Sequence, residues 1–239
     1  MRYELYLESG PQHRKTWIYV PGLPGCSTVA PTSEAAVEVA TAAIRDRLGF
    51  LGRHGEVLSG LEPIEVVVAG HAIERKYLGF AQGTFPTDRL PMSSDEVEHQ
   101  LRWAEWSREE LVAVARAQPR PLAAKPAQGG RATAAILSHV AGSEWSYVSS
   151  TLGTVTGGGA IIAAIEQAGD EPWAELAAER QALMARLHRL TPEELQRVVD
   201  RGEGKPVRSV RRMLRRFLEH EWEHVLELRS RLGGDATPG

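Results

Sequence analysis

Two histidines one helical turn apart are the residues of this sequence whose type and spacing most directly suggest chemistry. His220 and His224 lie in 207–232, a segment without internal Gly or Pro that follows Pro206 and stops at Gly233, so the pattern predicts one long helix. At about 100° per residue both fall on its apolar face. Their Cβ atoms would be roughly 6 Å apart, so one divalent metal ion could bind both imidazoles. The alternative is a pair of core histidines hydrogen-bonded to carbonyl groups.

A third histidine, His139, lies in a second predicted helix, 131–152. Its face carries small residues, which leave room for an ion and a substrate at the axis of a helical bundle. These residues are Ala132, Ala135, Gly142, Ser143, Ser146 and Ser150. The same stripe would also allow close helix packing without a metal. The sequence therefore offers three candidate metal ligands from two distant segments.

The first 70 residues predict a small α+β unit. Tyr3, Leu5 and Leu7 alternate with polar residues, which is typical of a half-buried strand. Thr32 or Ser33 is the predicted N-cap of a helix, with acidic Glu34 in its first turn. The predicted order is β-β-β-α-β, with strands at 2–9, 16–20, 26–30 and 64–68 and a helix from 33 to about 48.

After residue 92 the hydrophobic period changes from two to 3.6, which indicates helices. Four main amphipathic helices are predicted, and their number favours a four-helix bundle. They begin near Ser93, Arg131, Pro172 and Val207, with short pieces at 160–168 and 191–199. We therefore predict an α+β domain at 1–82, a linker at 83–92, an all-α bundle at 93–234 and a disordered tail at 235–239.

The N-terminal region resembles the HicB-like antitoxin fold. The resemblance covers roughly 2–70 and is carried by Leu23-Pro24-Gly25-Cys26 and by Thr32-Ser33-Glu34-Ala35-Ala36. It implies a module that recruits a protein partner. Relatives often carry a separate DNA-binding domain, which this sequence does not suggest. The alternative is a small α+β interaction or oligomerisation module, with Cys26 in a turn and without nucleophilic chemistry.

The C-terminal region resembles the DinB/YfiT-like metal-binding bundle superfamily. One histidine in HVAGSEW and an His-x-x-x-His pair in HEWEH follow each other in the family's order, over roughly 93–232. The resemblance implies that His139, His220 and His224 bind zinc, nickel or a similar divalent ion and leave positions open for water or substrate.

Characterised relatives include transferases and isomerases that use low-molecular-weight thiols, so the resemblance also implies a metal-dependent transferase acting on a small electrophile. The alternative is a non-catalytic metal-binding or protein-interaction module.

The segment His220-Glu221-Trp222-Glu223-His224 also spells H-E-x-x-H, the signature of zincin metallohydrolases. In such an enzyme Glu221 would be the general base, and a third ligand would lie downstream. Only 15 residues follow His224, and none is a histidine. A metallohydrolase is therefore a remote alternative. Glu221 could still act as a proton acceptor or as a partner of a ligand, and its other interpretation is a solvent-exposed charge.

Composition limits the function classes. A net charge of −3 gives no general attraction to nucleic acid or to anionic membranes, and the arginines of 208–216 are expected on a solvated helix face. A single cysteine allows no internal disulfide, and no apolar run approaches the length of a membrane span. We expect a cytoplasmic protein that acts on a small molecule and binds neither nucleic acid nor membrane; a homodimer is compatible with the sequence.

Overall fold

The computed structural model describes residues 1–10, 15–58, 63–73, 84–127, 129–202 and 205–232. The strands are β1 (Arg2–Ser9), β2 (Thr16–Tyr19), β3 (Ser27–Ala30) and β4 (Glu65–Ile73). The helices are α1 (Ser33–Arg53), α2 (Ser94–Arg116), α3 (Thr133–Leu152), α4 (Gly158–Gln167), α5 (Trp173–Leu187), α6 (Pro192–Gln196) and α7 (Val210–Leu232), with a short 3-10 helix at Pro86–Arg89.

The contacts divide the chain into two units. The first consists of Met1–Pro91 and Val198–Glu219, and the second of Met92–Arg197 and the chain from His220 onward. The predicted domain bounds differ from these two units, because the prediction assigns the whole of 93–234 to one helical domain. The predicted bounds stay a prediction. The predicted tail 235–239 lies outside the described residues. In the predicted linker, Phe85 and Asp88 are buried.

The first unit contains a four-stranded sheet in the order β3-β2-β1-β4. β1 pairs antiparallel with β2 and parallel with β4, and β2 pairs antiparallel with β3. Parallel neighbours need a long crossover connection, and the segment between β3 and β4 supplies it with α1. The small N-terminal sheet and its strand order along the chain agree with the sequence prediction. Tyr3, Leu5 and Leu7 are buried, as their alternation indicates.

α1 begins as its sequence predicts and ends later. The hydroxyl of Thr32 accepts a hydrogen bond from the backbone N–H of Ala35, which satisfies one free donor of the first turn. The helix continues to Arg53, five residues past the predicted end, because Phe50 and Leu51 are buried and extend its apolar side.

The turn before β3 needs a glycine. Gly25 has a φ of 83°, and a Cβ at this position would clash with the guanidinium of Arg47. That guanidinium donates to the carbonyl oxygen of Pro24 at 3.2 Å. The neighbouring Cys26 is buried, and burial raises the pKa of its thiol to about 12. The thiol is therefore protonated at neutral pH, which agrees with a structural role for Cys26.

A buried arginine at the start of α7 belongs to the first unit. The Arg215 guanidinium donates to both carboxylate oxygens of Asp88 at 2.8 Å and to Glu219, and it lies 4.1 Å from the ring centre of Phe85. Arg215 and Glu219 are only 2% and 1% exposed. The expectation of a solvated arginine face at 208–216 is therefore wrong for this residue, because its charge is paired inside the protein.

The helices of the second unit follow the predicted pattern with shifted ends. Ser93 caps α2 and Thr191 caps α6, each in a reciprocal arrangement with a glutamate three residues later. α7 begins at Val210 and not at Val207, because Arg208 pairs with Val199 in an isolated β-bridge. No helix in the described ranges combines the length and the apolar composition that a membrane crossing requires.

The Asp88–Arg215 pair gives a test of this packing. Replacing Asp88 with alanine leaves the buried Arg215 with too little negative charge, so we expect Asp88→Ala to lower the free energy of unfolding by about 3–5 kcal/mol. The matched control is Asp200→Ala, because Asp200 pairs with Arg89 at the same N–O distance of 2.8 Å on an exposed surface. We expect no measurable loss there. Urea unfolding of both variants measures the difference, and equal losses would contradict it.

Candidate metal centre

Two helices supply the three histidines. His139 lies on α3, and His220 and His224 lie one turn apart on α7. All three belong to the second unit. His220 and His224 are 7% and 5% exposed, whereas His139 is half-buried. The structure thus brings together the three side chains that the sequence singled out from segments 81 residues apart.

The three imidazoles face one another closely. The Nε2 atoms of His220 and His139 are 3.1 Å apart, and one potential ligand atom from each ring lies within 4.8 Å of the others. The ring centres of His220 and His224 are 4.7 Å apart, and those of His139 and His224 are 5.3 Å apart. All three ring pairs are steeply tilted, so no two rings stack.

This donor set fits a divalent ion. Zinc–nitrogen bonds of about 2.0–2.1 Å place two ligands of a tetrahedral ion roughly 3.3 Å apart. The Nε2 atoms of His220 and His139 are near that separation, and the third ring offers a nitrogen within 4.8 Å of the other two ligand atoms. Three neutral imidazoles suit zinc or nickel better than calcium or magnesium, which prefer oxygen ligands.

The electrostatics keep His139 in the form that a metal needs. Burial, followed by the charges of Arg131 and His224, lowers the pKa of His139 to about 4, although Glu227 acts in the opposite direction. The ring is therefore neutral near pH 7 and retains a nitrogen lone pair. A neutral imidazole is the form that binds a metal ion.

His224 has a carboxylate partner in addition to its neighbouring histidines. Its Nδ1 atom lies 2.7 Å from a carboxylate oxygen of Glu227. The other oxygen of Glu227 accepts a hydrogen bond from Arg231 at 2.7 Å, and Arg131 lies 3.9 Å from the first oxygen. Burial alone would raise the pKa of Glu227, but His224 and the two arginines lower it, so the carboxylate is ionised.

The stripe of α3 that carries His139 reaches the protein surface. On α3, Ala135 and Ser146 are exposed, and they belong to the small-residue stripe that carries His139. The ring of Tyr147 stands perpendicular to that of His220 at 5.9 Å between centres. Three nitrogen donors with a partly open side are the arrangement of a metal site that still has a position for a further ligand.

Glu221, the candidate general base, is not exposed to solvent. It is fully buried, and one of its oxygens accepts hydrogen bonds from Arg108 at 2.6 Å and from Arg180 at 2.7 Å. The solvated interpretation is therefore wrong. The reason is that two guanidinium groups from other helices meet the carboxylate inside the second unit.

Glu221 is part of a buried cluster that the sequence analysis missed. Arg108 also donates to Glu144 at 2.6 Å and to Glu179 at 3.1 Å, and Arg180 donates to Glu144 at 3.2 Å. Three carboxylates share two guanidinium groups, so negative charge is in excess. Burial raises the pKa of Glu144 against the lowering effect of the two arginines.

A signal for this cluster exists in the helical periodicity. Arg108 lies four residues after Ala104 and three before Leu111, both of which belong to the apolar stripe of α2. Glu144 similarly lies between Val140 and Val148 on α3. Charged residues in the middle of an apolar stripe predict buried ion pairs, because an isolated buried charge is too costly.

A cavity of about 680 Å³ lies between α2 and α5. Its lining includes Arg108 and Arg180 together with apolar residues such as Val112, Leu176 and Met184. None of the three histidines lines it, so its volume is separate from the histidine cluster.

The helices of the second unit thus carry buried ion pairs and a cluster of three histidines. A family model of the DinB superfamily matches residues 104–228, just over half of the chain. The protein belongs to the DinB superfamily. The match includes all three histidines and confirms the C-terminal resemblance. No curated protein and no solved structure matches the chain. The HicB-like resemblance of the N-terminal region has no support from these comparisons and stays a prediction.

The buried environment of Glu221 makes its role testable. Arg108 and Arg180 would each lose a hydrogen-bond acceptor, while Glu144 and Glu179 would still balance the two positive charges, so we expect Glu221→Ala to lower the free energy of unfolding by about 1–3 kcal/mol. Glu98→Ala is the control, since Glu98 is half-exposed on α2 and pairs with exposed His188; it should show no measurable change.

Glu221→Gln keeps the side-chain shape and should retain the metal content of the wild type, because a structural carboxylate is not needed as a metal ligand. Metal analysis of the purified variant measures this. A loss of bound metal in a folded Glu221→Gln protein would place Glu221 in the metal site and contradict the structural role.

Proposed function

We propose that this protein binds a divalent metal ion through His139, His220 and His224 and is a metal-dependent transferase that uses a low-molecular-weight thiol on a small electrophile. The observation that carries the proposal is the meeting of three imidazole nitrogens within 4.8 Å, with one of the rings half-buried. Membership of the DinB superfamily, which is generally metal-binding, supports the metal, and zinc or nickel best suits the ligands.

The three histidines would hold the ion from the protein side. Their neutral rings leave its positive charge uncompensated by ligands, which favours the binding of an anionic fourth ligand. An ion held by these three histidines would supply Lewis acidity, which would lower the pKa of a bound thiol toward neutral pH. The exposed small residues Ala135 and Ser146 of α3 leave space for the electrophile beside His139.

The finer fold assignment belongs to the same proposal. We infer that α2, α3, α5 and α7 are the four main helices of a DinB-type bundle, with α4 and α6 as short connecting helices. For the N-terminal region, the observed order of three strands, helix and strand supports a HicB-like module that recruits a partner. A partner-recruiting protein with a non-catalytic metal site is therefore the second candidate function.

The ligand assignment is tested by metal content. We expect wild-type protein purified with added zinc or nickel to hold one ion per chain, and His220→Ala to lose it while remaining folded, because two remaining imidazoles bind weakly. His188→Ala is the matched control, since His188 is half-exposed and pairs with Glu98. Elemental analysis and circular dichroism measure both properties. Unchanged stoichiometry in His220→Ala would refute the assignment.

The reaction class is tested by turnover. We expect conjugation of a small electrophile with one or more low-molecular-weight thiols, loss of this activity after treatment with a chelator, and its return when metal is added. The rate without protein and the rate with His220→Ala serve as controls. Bound metal without chelator-sensitive turnover across several thiols would favour the non-catalytic function.

A further inference from the structure

The carboxylate of Glu227 has no place in the ligand set, yet it makes a close contact with one of the ligands. Its Oε2 atom lies 2.7 Å from Nδ1 of His224. Because an ionised carboxylate only accepts hydrogen bonds, this distance requires a proton on Nδ1. A metal-binding imidazole must be neutral, so a His224 ring with its proton on Nδ1 would bind a metal ion through the lone pair on Nε2.

The position of Glu227 is itself fixed. Residues 224, 227 and 231 are spaced three and four apart on α7, so they share one side of the helix. Arg231 donates to Oε1 of Glu227 at 2.7 Å, and Arg131 adds a second positive charge 3.9 Å from Oε2. The contacts with the two arginines hold the carboxylate turned toward His224.

The other two histidines show which ring atom faces the centre of the cluster. His220 and His139 approach each other through their Nε2 atoms at 3.1 Å. A lone pair on Nε2 of His224 gives the third ring the same donor atom. A ring with its proton on Nε2 would instead present a donor hydrogen where a ligand is needed.

We propose that Glu227 is a positioning residue, which holds His224 in the tautomer protonated at Nδ1 so that Nε2 is the ligating atom. The inference rests on the proposed metal site. Glu227 does not contact the ion or the substrate. It acts through His224 by fixing the ring orientation and by making Nε2 more basic, as carboxylate partners of metal-bound histidines do.

The tautomer can be measured in the metal-free, full-length protein. Long-range proton–nitrogen NMR correlations of histidine-labelled protein distinguish a proton on Nδ1 from one on Nε2. We expect the Nδ1–H form for His224 in the wild type and a mixture with the Nε2–H form in Glu227→Ala. Glu227→Gln should retain the Nδ1–H form, since its amide oxygen also accepts the hydrogen bond.

Zinc affinity gives the second measurement, by competition with a chromophoric chelator. We expect Glu227→Ala to raise the dissociation constant about 10–100-fold. Glu227→Gln should show a smaller rise, because it keeps the hydrogen bond and loses only the charge. Arg231→Gln, which leaves Glu227 less constrained, should also weaken binding and provides a second variant if Glu227→Ala does not fold.

The matched control is Glu110→Ala. Glu110 also pairs with an arginine of α7, Arg229, at 2.7 Å, and its side chain is 25% exposed compared with 32% for Glu227. Its removal should leave the zinc affinity and the His224 tautomer unchanged. An unchanged tautomer in folded Glu227→Ala would overturn the inference. A wild type that binds no zinc but shows the Glu227-dependent tautomer would refute the proposed function alone.

Discussion

The burial of α7 along almost its whole length is the constraint on which the rest of the structure depends. This helix carries twelve arginines, glutamates and histidines, and six of them are buried. A buried charge is tolerated only when opposite charges and hydrogen bonds replace its hydration. Asp88 and Glu219 do this for Arg215 in the first unit, and Arg108 and Arg180 do it for Glu221 in the second.

The histidines of α7 satisfy the same requirement in another way. Two buried imidazoles one turn apart cannot both be protonated without repulsion, and neutral rings need partners for their nitrogens. His139 supplies one partner for His220, and Glu227 supplies one for His224. A divalent ion would bind the remaining nitrogen lone pairs of the three rings together. The proposed metal site would therefore also satisfy the buried polar atoms of this cluster.

Periodicity predicted the elements well because it reflects local burial. The strands of the small sheet, the caps at Thr32 and Ser93, and the histidine face of α7 all follow from spacing along one segment. The partners of buried charges do not, since Asp88 and Arg215 are 127 residues apart. The sequence of a helix rich in arginine and glutamate therefore predicts a solvated face, because the distant residues that pair with its charges cannot be read from that segment. The HicB-like assignment depends on turn and cap residues, and many folds share these residues. It therefore stays a prediction.

The H-E-x-x-H segment shows how the surroundings of its glutamate separate two interpretations of the same five residues. A zincin requires its glutamate on the accessible side of the metal, where the carboxylate can take a proton from water. Glu221 follows His220 by one residue, as the glutamate of every H-E-x-x-H segment follows its first histidine, so the spacing alone does not separate the two interpretations. In this protein Arg108 and Arg180 hold the Glu221 carboxylate in a fully buried cluster. The two histidines of the motif can serve a metal while the glutamate between them serves the packing of the helices. The cluster of His139, His220 and His224 therefore does not depend on Glu221 acting as a base.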